Sequence, residues 1–241
     1  MKSLLFSLLA LTLGAASGLA APSAPPPVQP NYEYVMMSGG PSLMLWEKWK
    51  SQPHDLWWLN FIRAAELRIR ELKAQGVPAA QITWMVYQPS YETRGRQEGK
   101  NLTGEIAALA HAQGVRLKFF RSGQGVVDYL NAGRPRAQVK IADLEYFGHS
   151  NKACWMFDYS NQVDSASKVW LHEDEFPQRL APGIFAKGAY LKSWGCHTGE
   201  SMSQKFRHAA GVRMWGATGR TQYNTEELPS LAQPASSKWT Y

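Results

Sequence analysis

Two short stretches of this chain hold the residue types of nucleophilic catalysis. Tyr146-Phe147-Gly148-His149-Ser150-Asn151 sets an imidazole directly after a glycine, and Ser193-Trp194-Gly195-Cys196-His197-Thr198-Gly199-Glu200 does the same with a thiol. A cysteine attacks as its thiolate, so an imidazole base beside it and the N-terminus of a following helix would both favour the reactive form. The backbone N–H groups of Ser150 and Cys196 are then natural donors to the oxyanion of an acyl-transfer intermediate.

Other chemistries use the same residues. Cys154 and Cys196 are the only two cysteines, and an oxidising compartment could join them, which would remove the nucleophile. Cys196, His197 and Glu200 could instead ligate a metal, although no His-Glu-x-x-His pattern accompanies them. A buried, inert thiol is the third alternative, against which the flanking Gly195 and polar His197-Thr198-Gly199-Glu200 argue. Asn151, Glu200 and the acidic run Glu173-Asp174-Glu175 are candidates to touch a substrate. The simpler reading of the run is a helix start with solvated carboxylates.

Both stretches need a scaffold that ends at the same place. Apolar or β-favouring runs occur at Tyr34 to Ser38, Ile82 to Tyr87, Val115 to Phe120, Lys140 to Phe147, Ala189 to Trp194 and Val212 to Ala217. Between them lie helical patterns. Trp58, Ile62, Ala65, Ile69 and Leu72 recur at three- and four-residue spacing within Asp55 to Lys73, with Arg63, Arg68, Arg70 and Glu71 mostly between them, as in an amphipathic helix. Asn101 to Gln113, Val126 to Leu130 and Ser201 to Ala210 read as further helices. Alternating strands and helices predict an α/β three-layer sandwich with a mostly parallel central sheet. Ligands in such sheets bind beyond the carboxyl ends of strands, where His149 and Cys196 fall. If those strands are neighbours, about 5 Å apart, the two side chains share one edge.

The pattern resembles the caspase-like cysteine peptidases, the group that holds caspases, metacaspases, legumains, gingipains and clostripains. In that family a hydrophobic strand ends in His-Gly and a later one in Ala-Cys or Gly-Cys. Ile141 to Gly148 followed by His149 looks like the first, and Ala189 to Gly195 followed by Cys196 looks like the second. The resemblance spans roughly residues 32 to 223 and implies a caspase-like fold, His149 as general base, Cys196 as nucleophile and a peptide or protein substrate. It departs at Ser150, where the family has glycine, and no position matches the family's substrate-selecting residue. A non-catalytic binding module on the same scaffold, holding a cell-envelope or host ligand, is the other functional expectation.

Composition sets the remaining bounds. With 241 residues, 44% hydrophobic, the chain can bury a sizeable core. Its Lys+Arg 26 against Asp+Glu 19 gives +7, a general basic charge with no nucleic-acid motif, so no nucleic-acid partner is expected. No cofactor-binding or metal motif appears. Trp57, Trp58, Trp84, Trp155, Trp170, Trp194 and Trp215 fall mostly in apolar periodic segments, as core residues do.

Residues 1–20, MKSLLFSLLALTLGAASGLA, have Lys2, an apolar run too short to span a bilayer and small residues at Gly18 and Ala20. They read as a cleaved export signal, placing the chain in the secreted or periplasmic space with no transmembrane segment after removal. A Pro-rich spacer at 21–31, a domain at 32–225 and a tail at 226–241 follow.

Overall fold

The computed structural model describes residues 25–42, 44, 57–159 and 167–241. The expected export signal and the start of the spacer lie outside them.

Seven strands form the main sheet: β1 (Tyr32–Ser38), β2 (Ile82–Tyr87), β3 (Arg116–Phe120), β4 (Lys140–Phe147), β8 (Phe185–Ser193), β9 (Met214–Ala217) and β12 (Trp239–Thr240). Their order is β12-β9-β8-β4-β1-β2-β3, parallel throughout except for antiparallel β12 at the edge. Strands covered on both faces read as continuous apolar runs, and β2 (ITWMVY) is buried at every residue. Along β1, Tyr34 and Met36 enter one core while Val35 and Met37 enter the other. That is the two-residue period of a strand with a packed layer on each side.

Among the described residues five helices flank the sheet: α1 (Asn60–Ala74), α2 (Gln88–Glu98), α3 (Leu102–Gln113), α4 (Gly123–Ala132) and α5 (Met202–Ala210). Ile62, Ile69 and Leu72 of α1 and Ile106 of α3 pack on one face. Val126 and Leu130 of α4 and Met202 and Phe206 of α5 pack on the other. The chain is therefore α/β, with a mostly parallel sheet between helical layers. Such a stack is compatible with a three-layer sandwich.

Several elements differ from the sequence expectation. Helix α1 begins at Asn60, and Trp58 precedes it as a buried turn residue. Arg68 is not on the polar side: it is buried and reaches β4, with Nε 2.5 Å from Glu145 Oε1 and Nη2 3.3 Å from Asp143 Oδ2. Helix α2 has no counterpart in the sequence reading. Pro89 occupies its first turn, where the missing N–H costs nothing. The acidic run forms a turn after β7 (Trp170–His172) rather than a helix start. The segment expected as a tail supplies β11 (Ser230–Leu231), paired with β10 (Thr221–Gln222), and the edge strand β12. Among the described residues Trp170, at 50%, is the most exposed large apolar one, while Trp84 and Trp155 are fully buried.

Chain order reverses between β1 and β4: β1, β2 and β3 run outward on one side, β4, β8 and β9 on the other. A crevice opens at such a switch point, beyond the carboxyl ends of the strands. The small antiparallel sheet of β5 (His149–Ser150), β6 (Cys154–Met156) and β7 follows β4 directly.

Candidate functional site

The last register pair of β4 and β8 is Tyr146↔Ser193. His149 and Cys196 each stand three residues beyond it, so parallel pairing delivers both to the same sheet edge. Trp194 N–H extends the ladder by one bond, to the Tyr146 carbonyl at 2.8 Å. Beyond it side chains join the two loops. Ser150 Oγ donates to the Cys196 carbonyl at 2.7 Å. Tyr223 Oη accepts from Gly148 N–H and donates to the Trp194 carbonyl, both at 3.2 Å.

This closeness explains the glycines. A Cβ on Gly195 would collide with Ser150 Oγ, and one on Gly148 would run into the Tyr146 phenol. Both positions need a bare backbone because loop and ring pass over them.

Ser42, Phe61 and Tyr159 are among the neighbours that hold the imidazole. Ser42, just past β1, places Oγ 3.3 Å from His149 Nε2. The Phe61 ring of α1 meets the imidazole edge-on at 4.9 Å, and Tyr159 lies at 4.5 Å. Phe61 also packs edge-on against Tyr223 at 5.0 Å, so one ring touches both the histidine and the stitch between the loops.

The thiol rests on Thr221. Thr221 N–H donates to Cys196 Sγ at 3.4 Å, Thr221 Oγ1 lies at 3.6 Å, and the S–H reaches the Thr221 carbonyl at 3.9 Å. His197, the next residue, has φ 64, the single non-glycine left-handed residue among those described. Such a conformation persists where its surroundings over-determine it. Here His197 N–H donates to the Gly219 carbonyl at 2.7 Å, and Nδ1 lies 2.6 Å from Glu200 Oε1. Glu200 Oε1 also accepts Gly219 N–H at 2.9 Å. The His197 contact, helped by that N–H, holds the Glu200 carboxyl below its usual range.

The backbone donors differ in state. Cys196 N–H has no hydrogen-bond partner among the described residues. In the β5–β6 hairpin, Asn151 N–H donates to the Cys154 carbonyl at 3.1 Å. Pairs alternate along an antiparallel ladder, so Ser150↔Trp155 is the non-bonded pair and Ser150 N–H turns away from β6.

The proposed substrate contacts scatter. Asn151 Oδ1 caps the hairpin turn, accepting from Ala153 and Cys154 N–H at 2.8 Å each. Glu173 is buried, accepting from Ser201 Oγ at 2.8 Å and pairing with Lys205 Nζ at 2.8 Å, which leaves Oε2 unpartnered. Asp174 is exposed and also pairs with Lys205, at 2.5 Å, while Glu175 is exposed. Lys205 thus occupies Glu173 and Asp174, two of the three carboxylates that a basic substrate group would use. His197 and Glu200 pair with each other, and among the described residues no three His, Cys, Asp or Glu side chains converge on a point that could hold a metal.

Both cysteines are free thiols. Cys154 lies beside the acidic run, and burial together with the charges of Glu173, Asp174 and Glu175 pushes its thiol up to about 11. Tyr223 is raised well above the ordinary phenol range, by burial first and the nearby Cys196 charge second. It stays neutral and can both donate and accept.

Thr221, Tyr223, Phe61 and Ser42 escaped the sequence reading. One signal pointed to the first two: β9 adjoins β8 in parallel, so residues just past Gly219 return to the same edge as Cys196. No family model, curated protein or solved structure matches this chain. Among the described residues no helix is long and apolar enough to cross a membrane.

Proposed function

We propose that this chain is a caspase-like cysteine peptidase, exported through its first twenty residues, that cleaves peptide bonds through an acyl-enzyme on Cys196. One observation carries the reading. The register-matched ends of β4 and β8 present an imidazole and a thiol on one edge, and Ser150 Oγ ties the two loops together at 2.7 Å. In this reading His149 takes the Cys196 proton, the thiolate attacks the scissile carbonyl, and the Cys196 and Ser150 N–H groups receive the oxyanion. The protonated imidazole then gives its proton to the leaving amine, and water hydrolyses the thioester.

The test is hydrolysis of a fluorogenic peptide library by the full chain, with Cys196→Ala and His149→Ala alongside. Turnover lost in Cys196→Ala and cut by at least about a hundredfold in His149→Ala supports the reading. Wild-type turnover in Cys196→Ala ends it.

A second reading, a binding module on this scaffold, is favoured by the partners the two groups already have: Ser42 Oγ on His149 Nε2 and Thr221 on the thiol. Slow alkylation of Cys196, no hydrolysis across the library and saturable binding to cell-envelope material would favour this module over the enzyme.

A further inference from the structure

We propose that Thr221 is the positioning residue of the Cys196 sulfur, presenting two hydrogen-bond donors to it so that the thiolate forms in one fixed place. The inference rests on Cys196 being the nucleophile.

The segment 219–221 runs beside the Cys196 turn and is fastened to it at alternating points. His197 N–H donates to the Gly219 carbonyl at 2.7 Å, Gly219 N–H to Glu200 Oε1 at 2.9 Å, and Thr221 N–H to Cys196 Sγ at 3.4 Å. Thr221 is anchored independently of the sulfur. Its strand β10 pairs with β11 at Thr221↔Leu231, and Ala232 N–H donates to the Arg220 carbonyl at 2.9 Å. The donors are therefore set in place before the sulfur arrives, as electrostatic support of a reacting atom requires.

The hydroxyl is equally specific. Thr221 is 3% exposed, and among the described residues Oγ1 has no hydrogen-bond partner but the sulfur, 3.6 Å away. A buried hydroxyl lacking a partner costs stability, so an apolar side chain of the same shape would serve better here if packing were the only requirement. In the resting thiol the S–H donates weakly to the Thr221 carbonyl at 3.9 Å. When the S–H bond breaks, the proton passes to the His149 imidazole and the electron pair stays on sulfur. The two closer groups, N–H and Oγ1–H, then both donate to the anion, and donors to a charged acceptor make the stronger hydrogen bonds. The left-handed backbone at His197 holds Cys196 in the turn that makes this approach possible.

The experiment follows iodoacetamide alkylation of Cys196 in the full chain, read by peptide mass spectrometry from pH 5 to 10, in wild type, Thr221→Val and Thr221→Ser. Valine keeps the shape and the backbone N–H but deletes the hydroxyl; it should slow alkylation near neutral pH about tenfold, the size of one hydrogen bond to a charged group. Serine should restore most of the rate. A Thr221→Val profile that superimposes on wild type overturns the proposal. Should the valine variant not fold, the wild-type protein still decides. The Thr221 amide resonance must move with the ionisation of Cys196 and stay still in Cys196→Ala, and an amide that does not titrate overturns the proposal. Peptide hydrolysis measured in parallel separates the two readings. A slowed Thr221→Val with no hydrolysis of any peptide leaves Thr221 in its role and removes the peptidase, whereas hydrolysis with an unchanged alkylation profile removes Thr221 alone.

Discussion

Ser150 Oγ donates to the Cys196 carbonyl at 2.7 Å, across two loops that sequence places 46 residues apart. The Ser150 hydroxyl joins the histidine loop to the cysteine loop. Ser150→Ala should lower stability by about 1 kcal/mol, the usual worth of one such bond, and lower peptide turnover further because the loops lose their tie. Chemical denaturation and kcat measured together test this. Equal stability and equal kcat in the alanine variant would show that the bond holds nothing.

Tyr223 makes the other stitch, accepting from Gly148 N–H and donating to the Trp194 carbonyl. Tyr223→Phe keeps the ring packed on Phe61 but leaves both backbone groups without their partner in a buried site. The expected cost is about 1–3 kcal/mol by denaturation. Because Gly148 and Trp194 precede His149 and Cys196, the proposed peptidase should lose kcat while KM changes little.

The strand-then-glycine endings at Gly148 and Gly195 were legible because β-favouring residues lead into each glycine and sharp exits need glycine, even though Asp143 and Glu145 interrupt β4 and Lys187 and Lys192 interrupt β8. The register that unites His149 with Cys196 follows from adjacency, which alternation of strands and helices implies but does not specify. Helix α2 was hidden for a physical reason: its buried residues are Ser90, Tyr91, Arg94 and Gly95, so no apolar stripe marks it. Arg68 was misread because a charged side chain between apolar ones is ordinarily solvated, whereas here Asp143 and Glu145 await it under the helix. Strands β10, β11 and β12 have two residues each, too few to show a period, yet β10 brings Thr221 to the sulfur.

The two thiols should behave differently. Cys154 is raised to about 11 by burial and the acidic run, so its alkylation should stay slow at neutral pH and climb only toward pH 11. Both cysteines are free, so neither should require a reductant before labelling. Peptide-resolved labelling of the unreduced protein checks both points. A Cys154–Cys196 bridge recovered by mass spectrometry would contradict the structure. Glu173→Gln removes one of the charges that hold Cys154 up and should bring its labelling midpoint down.

Lys192 gives the fold a dependence on alkaline pH. Its side chain, 4% exposed, lies with Nζ 3.3 Å from the Trp194 ring centre and 4.0 Å from that of Trp239. Burial lowers its pKa from 10.5 to about 7, and Arg68 adds to the shift while Glu145 and Glu71 oppose it. The two indole faces also oppose it, since each favours the cation by about 0.5–2 kcal/mol. Between pH 7 and 10.5 the unfolded chain holds this proton and the folded chain does not, so stability rises with pH across that window. Below pH 7 both states hold it and the contribution is flat. Urea denaturation at several pH values should show the rise in wild type and lose this component in Lys192→Met, a side chain that still fills the space between the indoles. A wild-type curve that instead stays flat from pH 7 to 10.5 and falls above 10.5 more steeply than that of Lys192→Met would mean that the indoles hold the cation more strongly than burial expels it. In that case the charge on Lys192, through Trp239, helps keep the edge strand β12 on the sheet.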